Sequence, residues 1–223
     1  FEEEVSLGAI ANFWNALNII NSKISYKLCP CAIGEAVVLI NECKSQRVGR
    51  GNLNLKTNKP KPIDAKWHHI MYLNQLKDKS FIKDLNGIVS ADLTAGDMNI
   101  KNELRYIDYL FISEEDLFMD IKDLAQLVRK NVILHYPSGS ACVGKNMSKT
   151  HTTTFKENMN VLGAGDSFVG YFCANLDQGA SLEDALKSAA VAGSLACTKV
   201  GAQTAVPTKQ EVQTFLPNVT IEQ

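Results

Sequence analysis

Gly163-Ala164-Gly165-Asp166-Ser167-Phe168 sets two glycines and a carboxylate at the entrance to a strongly patterned stretch. Ahead of it lies the β-prone run Thr153-Thr154-Phe155, and behind it Phe168, Phe172 and Leu176 recur at helical spacing until Gly179 stops the helix. Glycines have no Cβ, so a ligand can come close to the backbone there, and the N–H groups of a first helical turn have no partner within the helix. Such a terminus favours an anion. Asp166, in that same first turn, could reach a hydroxyl held beside the anion. Taken alone, the stretch reads equally well as a tight turn whose aspartate is a favourable helix-start charge.

The surrounding pattern alternates strands and helices. Trp67 to Leu73 reads as a strand, Gln75 to Leu85 as a short helix or loop, and Gly87 to Leu93 as a second strand. Tyr106 to Ile112 is a third, Glu114 to Lys130 a helix with apolar Leu117, Ile121, Leu124, Leu127 and Val128, and Val132 to Tyr136 a fourth strand. Ser140 to Val143 and Thr152 to Phe155 could pair as a hairpin around Gly144-Lys145-Asn146. Ser181 with Asp184, and Thr208 with Glu211, read as caps of two further helices. This alternation implies a mostly parallel sheet covered on both faces, with ligands at the carboxyl ends of its strands. Residues 26–56 differ in character: β-like runs separated by Asn41-Glu42-Cys43-Lys44 and Gly49-Arg50-Gly51-Asn52 suit a small antiparallel flap.

The chain's 223 residues suffice for one main domain with a small addition. Its 23 Lys+Arg against 24 Asp+Glu, a net charge of -1, carry no nucleic-acid footprint. No run approaches the roughly 20 apolar residues that span a bilayer; no secretory leader is expected at Phe1, and an opening on phenylalanine in place of an initiator methionine is what a chain that has lost its natural start would show. Cysteines at 29, 31, 43, 142, 173 and 197 show no framework spacing, and Cys29-Pro30-Cys31 is not a C-x-x-C pair. A reducing, cytoplasmic setting is therefore expected.

Rival motifs are weaker. Gly139-Ser140-Ala141-Cys142-Val143-Gly144-Lys145-Asn146 stops one residue short of a P-loop, and no helical pattern follows Lys145. As a dinucleotide fingerprint, the 163–168 stretch fails at Phe168, where a small residue is needed for close helix packing. His68 and His69 are adjacent in a strand and point to opposite faces, so both read as structural.

Asn160 to Phe168, followed by Ala189-Ala190-Val191-Ala192-Gly193 and by Val200-Gly201-Ala202-Gln203 before Pro207-Thr208, resembles the C-terminal half of the ribokinase-like (PfkB) sugar kinases. The resemblance implies an α/β, ribokinase-like fold: a mostly parallel central sheet with helices on both faces (residues 1–25 and 57–223) and a small β lid (26–56). It implies an ATP- and Mg²⁺-dependent kinase that phosphorylates a hydroxyl of a sugar or nucleoside. Asp166 would be the base, and the 163–166 turn, Gly163 to Asp166, the anion hole, formed by the N–H groups of Ala164, Gly165 and Asp166. Gly8-Ala9-Ile10-Ala11-Asn12 is similar to the family's Gly-Gly-x-x-x-Asn sugar motif, with Leu7 in place of its first glycine, so Gly8 and Asn12 become substrate contacts. Ile33 to Ile40 and the turn into Gln46-Arg47 look like the lid strands, adding Gly34 to the substrate set and a possible homodimer contact through the lid. Ser138, Gly139, Ala190 and Gly201 fall at the family's nucleotide positions. Asp92, in Ser90-Ala91-Asp92-Leu93, matches a strand-end aspartate of the family, or is an ordinary turn residue.

The departures are specific. The family's Asn-x-x-Glu near the metal and phosphates is here Ser113-Glu114-Glu115-Asp116, which is also a capping box; the capping role is favoured, with Asp116 as an outer-shell metal ligand the other reading. The Thr-Leu-Gly-x-x-Gly nucleotide loop is replaced by His135-Tyr136-Pro137-Ser138-Gly139-Ser140, and the asparagine often found near adenine becomes Ala190. These changes keep a second reading open, a non-catalytic sugar- or nucleotide-binding relative with a regulatory role. The family's first strand, with its substrate-binding aspartate, would precede Phe1, and a further strand and helix would lie between Ile20 and Tyr26. Omitted segments are expected there and near 148–151.

Overall fold

The structure is a computed structural model that describes residues 8–21, 23, 35–41, 44–50, 63–94, 96, 98–144, 148–151 and 161–222. The first helix, α1 (Ala9–Ile20), is followed by the antiparallel pair β1 (Glu35–Asn41) and β2 (Lys44–Arg50), in register from Glu35 opposite Arg50 to Asn41 opposite Lys44. This hairpin forms a separate two-stranded sheet within the stretch expected to be the lid. Then come β3 (Trp67–Ile70), β4 (Ile88–Asp92), α2 (Lys101–Leu104), β5 (Tyr109–Ser113), α3 (Ile121–Leu127), β6 (Asn131–Tyr136), β7 (Gly139–Val143), β8 (Ser148–His151), α4 (Ala164–Asp177), α5 (Leu182–Ala196), α6 (Lys209–Phe215) and β9 (Thr220–Glu222).

The seven strands β3 to β9 form one sheet in sequence order, parallel from β3 through β6 and antiparallel from β6 onward. Alternation along the strands divides the core in two. Leu110, Ile112, Val132 and Val143 join one buried cluster with Leu104 and Leu124. Phe111, Ile133 and Cys142, one residue out of step, join the other with α1, α4 and α5. The expected α/β sheet with helices on both faces is thus present.

Local chemistry sets the element ends. Ser181 accepts from the Asp184 N–H at 3.0 Å at the start of α5, and Thr208 and Glu211 make the complete reciprocal cap of α6. Lys199 also meets Glu211 at 2.7 Å, and these bonds hold the Glu211 carboxyl down at about 2. The single helix expected over 114–130 is two elements. A 3-10 turn covers Glu114–Asp116, and α3 starts afresh at Ile121 because Asp120 caps it, accepting from the Lys122 N–H at 2.8 Å. Ser113 precedes the 3-10 turn but makes no cap bond to the backbone; its hydroxyl donates to the Asp116 carboxylate at 2.7 Å. The third strand begins at Tyr109 rather than Tyr106, since Tyr106 and Ile107 close turns on Glu103 and Leu104. The strand from Trp67 ends at Ile70, and Tyr72 follows in the left-handed region at φ 54°.

At 148–151, where a junction was expected, β8 pairs with β7 in unbroken register from Gly139 opposite His151 to Cys142 opposite Ser148. Thr152 to Phe155, expected to be the hairpin's second strand, lie outside the described residues, as do positions 24–30 and Gly34. The sequence pattern did not reveal β9, which adds to the far side of β8.

Candidate active site

The turn before α4 is held by close packing. Gly163 has φ 76°, a left-handed conformation open to glycine, and a Cβ there would stand 3.0 Å from the Ala202 carbonyl oxygen. The 201–203 segment after α5 is therefore pressed against the start of α4, and Asn15 of α1 donates to the Gln203 carbonyl at 3.1 Å. Within the first turn, Ala164 N–H donates to the Val161 carbonyl at 3.3 Å and Ser167 N–H to the Gly163 carbonyl at 2.9 Å. In front of Gly165 the space is open as far as the imidazole of His135: a Cβ on Gly165 would lie 3.8 Å from Cε1 and 4.0 Å from Nε2.

Asp166 is oriented from across the sheet face. Asn12, on the first turn of α1, donates from Nδ2 to Asp166 Oδ2 at 2.7 Å. Gly8 precedes that helix at φ 73° and its carbonyl accepts from the Ala11 N–H at 3.0 Å, so Gly8 starts the turn that carries Asn12. Asn12 is 4% exposed, and its Oδ1 is buried with no hydrogen-bond partner. A buried acceptor left without a donor costs free energy on the order of 1–3 kcal/mol. The site therefore keeps one amide oxygen ready for a hydroxyl. The helices approach closely because α4 has Gly170 where a side chain would collide with the Ala16 methyl and the Phe13 carbonyl.

The carboxyl ends of the parallel strands supply the remaining groups. Asp92 closes β4, 7% exposed, with Oδ2 3.5 Å from His69 Nε2 and Oδ1 buried without a partner. His69 is fixed on its other side by Ser90 Oγ at 2.9 Å from Nδ1 and by Phe13, whose ring stacks on it at 4.1 Å and 21°. Its neighbour His68 turns to the opposite face, toward Asn86, as adjacent strand residues must. Asp116 follows β5 and His135 lies near the end of β6. Burial pushes the His135 imidazole below the ordinary histidine range, while the Asp92 and Asp116 charges oppose that shift.

The structure thus brings Asn12 against Asp166 beside the glycine turn of Gly163, Ala164 and Gly165, with Gly8 starting the helix that carries Asn12. Ser138 and Gly139 lie at the β6–β7 connection, and Gly201, at φ 103°, lies in the segment that touches Gly163. Ala190 is 4% exposed and packed in the core cluster around α4 and α5, so its side chain faces the protein interior. His69 was read from sequence as structural only, and His135 only as a departure from a motif. The usable signal in both cases is a polar residue at the carboxyl end of an otherwise apolar parallel strand.

The cleft also suits the groups a phosphoryl donor brings. Gly165 lies in the first turn of a 14-residue helix, where a Cβ would come into ordinary contact with the His135 ring. Among the described residues, no three His, Cys, Asp or Glu side chains form a metal cage. That donor set fits a cation such as Mg²⁺, which binds through one or two carboxylates together with substrate phosphates.

The sequence pattern of the pfkB family carbohydrate kinases matches residues 82–209. No curated protein matches the chain. Among solved structures, a ribokinase from Thermotoga maritima is similar with a TM-score of 0.72 at 20% identity, over 98% of this chain and 91% of that one. A Burkholderia thailandensis nucleoside kinase in complex with inosine is similar with a TM-score of 0.72 at 12% identity, over 93% and 86% of the two chains. A Vibrio cholerae O395 fructokinase, solved with fructose, ADP and calcium ion bound, has a TM-score of 0.68 at 17% identity, over 94% and 90%.

Proposed function

From the premise that this chain belongs to the pfkB family of carbohydrate kinases, we propose that it transfers the γ-phosphoryl group of ATP to a hydroxyl of a sugar or nucleoside, with Asp166 as the base. The observation that carries this reading is the 2.7 Å bond from Asn12 to Asp166 at the glycine turn, beside the unpartnered Asn12 Oδ1. One amide side chain thereby sets the base and offers an acceptor to the substrate.

Phosphoryl transfer demands little covalent chemistry from a protein, which must position the reactants and stabilise charge on the transferring group. In this reading Asn12 Oδ1 accepts from one substrate hydroxyl and turns the reacting hydroxyl toward Asp166. Asp166 takes the proton late, once the forming ester has made it acidic, so no raised pKa is required. Gly165 N–H, and Ala164 N–H on giving up its 3.3 Å bond to Val161, donate to the transferred phosphoryl oxygens. Asp116, fixed by its Ser113 hydrogen bond, would hold the outer shell of a Mg²⁺ that comes with ATP, and that ion would offset phosphate charge. The β1–β2 hairpin serves as the lid that excludes water from the sugar side. Ser138, Gly139 and Gly201 line the nucleotide side by backbone, and Ala190 supports it from the core.

Asp166→Asn keeps the shape and the Asn12 contact but removes the proton acceptor. Turnover is expected to vanish while sugar and nucleotide affinity, measured by calorimetry, stay within a few-fold of wild type; retained kinase activity would falsify the assignment of Asp166. The altered stretches at Ser113 and His135 support a second reading, a binding protein without turnover. An ATP-consumption screen over sugars and nucleosides separates the two and names the acceptor.

A further inference from the structure

His69 reads as structural from its place in a strand, yet its ring is held at both edges and on its face. Trp67 Nε1, a donor only, donates to Ser90 Oγ at 2.8 Å, and Ser90 Oγ stands 2.9 Å from His69 Nδ1. With one lone pair taken by Trp67, the Ser90 hydroxyl turns its own proton to Nδ1, the His68 carbonyl at 3.3 Å being the longer alternative. At the other edge Nε2 meets Met71 Sδ at 3.0 Å and Asp92 Oδ2 at 3.5 Å, a thioether and a carboxylate, both acceptors. The proton of a neutral ring therefore sits on Nε2. Ser90 is fully buried and the His69 side chain 5% exposed, so the chain of contacts from Trp67 to Asp92 runs inside the floor of the sheet. An apolar side chain would fill that floor without needing any of these partners. What the partners add is a fixed plane for the imidazole.

That plane carries α1. Phe13 stacks on it with centroids 4.1 Å apart at 21°, and Phe111 meets it edge-on at 6.4 Å and 67°. Phe13 follows Asn12, whose Nδ2 holds Asp166. We propose that His69 is a positioning residue: its clamped ring is the seat for the N-terminal half of α1, and through Phe13 it fixes the rotation and height at which Asn12 meets Asp166. The 3.1 Å bond from Asn15 to the Gln203 carbonyl and the packing of Ala16 against Gly170 hold the same helix from its other neighbours, so the seat supplies a contact from the sheet. A tilt of α1 on that seat moves Asn12 and its open Oδ1 together, and both belong to the acceptor side of the site. Ser138 and Gly139, on the nucleotide side, stand on the β6–β7 connection instead. The inference rests on the kinase reading for its kinetic consequence only.

The experiment uses the full chain with His69→Leu, His69→Phe and Asn12→Ala, alone and combined, each assayed below its own Tm. A displacement of about 1 Å costs on the order of 100-fold, so His69→Leu should lower kcat by roughly 10- to 100-fold and raise KM for the acceptor while KM for ATP holds. His69→Phe, which keeps a flat ring but has no nitrogens to clamp, should fall between wild type and His69→Leu. Because His69 acts through Asn12, adding His69→Leu to Asn12→Ala should change kcat by no more than about twofold, whereas losses at independent sites would multiply. Multiplying losses, a wild-type kcat in His69→Leu, or a loss confined to KM for ATP overturns the inference and leaves the kinase reading standing. ¹⁵N NMR of the unliganded wild type in mildly alkaline buffer needs no variant and no turnover. His69 should show the Nε2-protonated ring, and a ring protonated on Nδ1 alone overturns the clamp. If the wild-type chain phosphorylates no sugar or nucleoside, the kinase reading is removed and the seat is judged on the Asn12 Nδ2 resonance, which should move in His69→Leu. An unmoved resonance removes the seat as well.

Discussion

Asn12 and Asp166 are separated by 154 positions in the sequence and by 2.7 Å in the site. The consequence is that the residue we propose as the base has a neighbour whose loss should be felt in rate before it is felt in stability. Asn12→Ala removes the 2.7 Å bond that helps orient the Asp166 carboxylate and removes the open acceptor. A misplacement of about 1 Å costs on the order of 100-fold, so kcat should fall by roughly that factor while KM for ATP holds; steady-state kinetics with the identified acceptor decides, and unchanged kcat would sink the positioning role. Both residues were legible because each sits in a short glycine-marked motif whose geometry is local. Gly163 is such a marker twice over, needing both φ 76° and clearance from Ala202. His69 and Asp92 were not legible as a pair, since their meeting at 3.5 Å depends on the pairing of two strands and on Phe13 arriving from α1. Ala190 shows the reverse limit: its match to a nucleotide position was visible, but its burial in the core was not.

Helices α5 and α6 could be bounded from sequence because cap and periodicity agree at Ser181 and at Thr208 with Glu211. Over 114–130 the periodicity ran on while the caps disagreed. Ser113 and Asp120 are both competent caps, and the chain uses Asp120 while Ser113 turns its hydroxyl to Asp116. The contact of α1 with α4 is a different matter, since it depends on a glycine inside a helix, where glycine costs about 1 kcal/mol relative to alanine. Gly170 bears that cost so that α1 can lie against α4 with Phe13, Ala16 and Ile20 buried. Gly170→Ala should therefore act against its helix propensity. The added methyl meets Ala16 and the Phe13 carbonyl, and overpacking of this kind costs about 1–3 kcal/mol. A lowered Tm together with a lowered kcat is expected, because moving α1 also moves Asn12; a stabilised protein with normal kcat would show that the helices are free to separate.

One sheet with a buried cluster on each side organises the whole molecule, and Asp92 and His135 stand toward the carboxyl ends of its parallel strands while Asn12 and Asp166 come from α1 and α4. The alternation of strands with helices made two covered faces legible in advance, while the face each residue takes, as at Leu110, Phe111 and Ile112, comes from the structure. The antiparallel continuation through β9 was not legible, because three residues at the end of a chain carry too little pattern to fix a partner. A molecule built this way should gain stability from its ligands as a unit. At a free concentration 100 times Kd, a ligand that binds only the folded state adds about 2.7 kcal/mol. At roughly 2–4 °C per kcal/mol for a chain of this size, saturating MgATP should raise Tm by about 5–10 °C by scanning calorimetry. An unmoved Tm would mean that the cleft does not take the nucleotide. The docking of α1 on α4 also has a meaning for synthesis. The apolar face of α1 leaves the ribosome early, yet its partner follows some 154 residues later, an interval of about 8–30 s at 5–20 residues per second. During that time the apolar side of α1 bearing Phe13, Ala16 and Ile20 has no α4 to pack against, so the contact that seats Asn12 beside Asp166 forms only after α4 has been made.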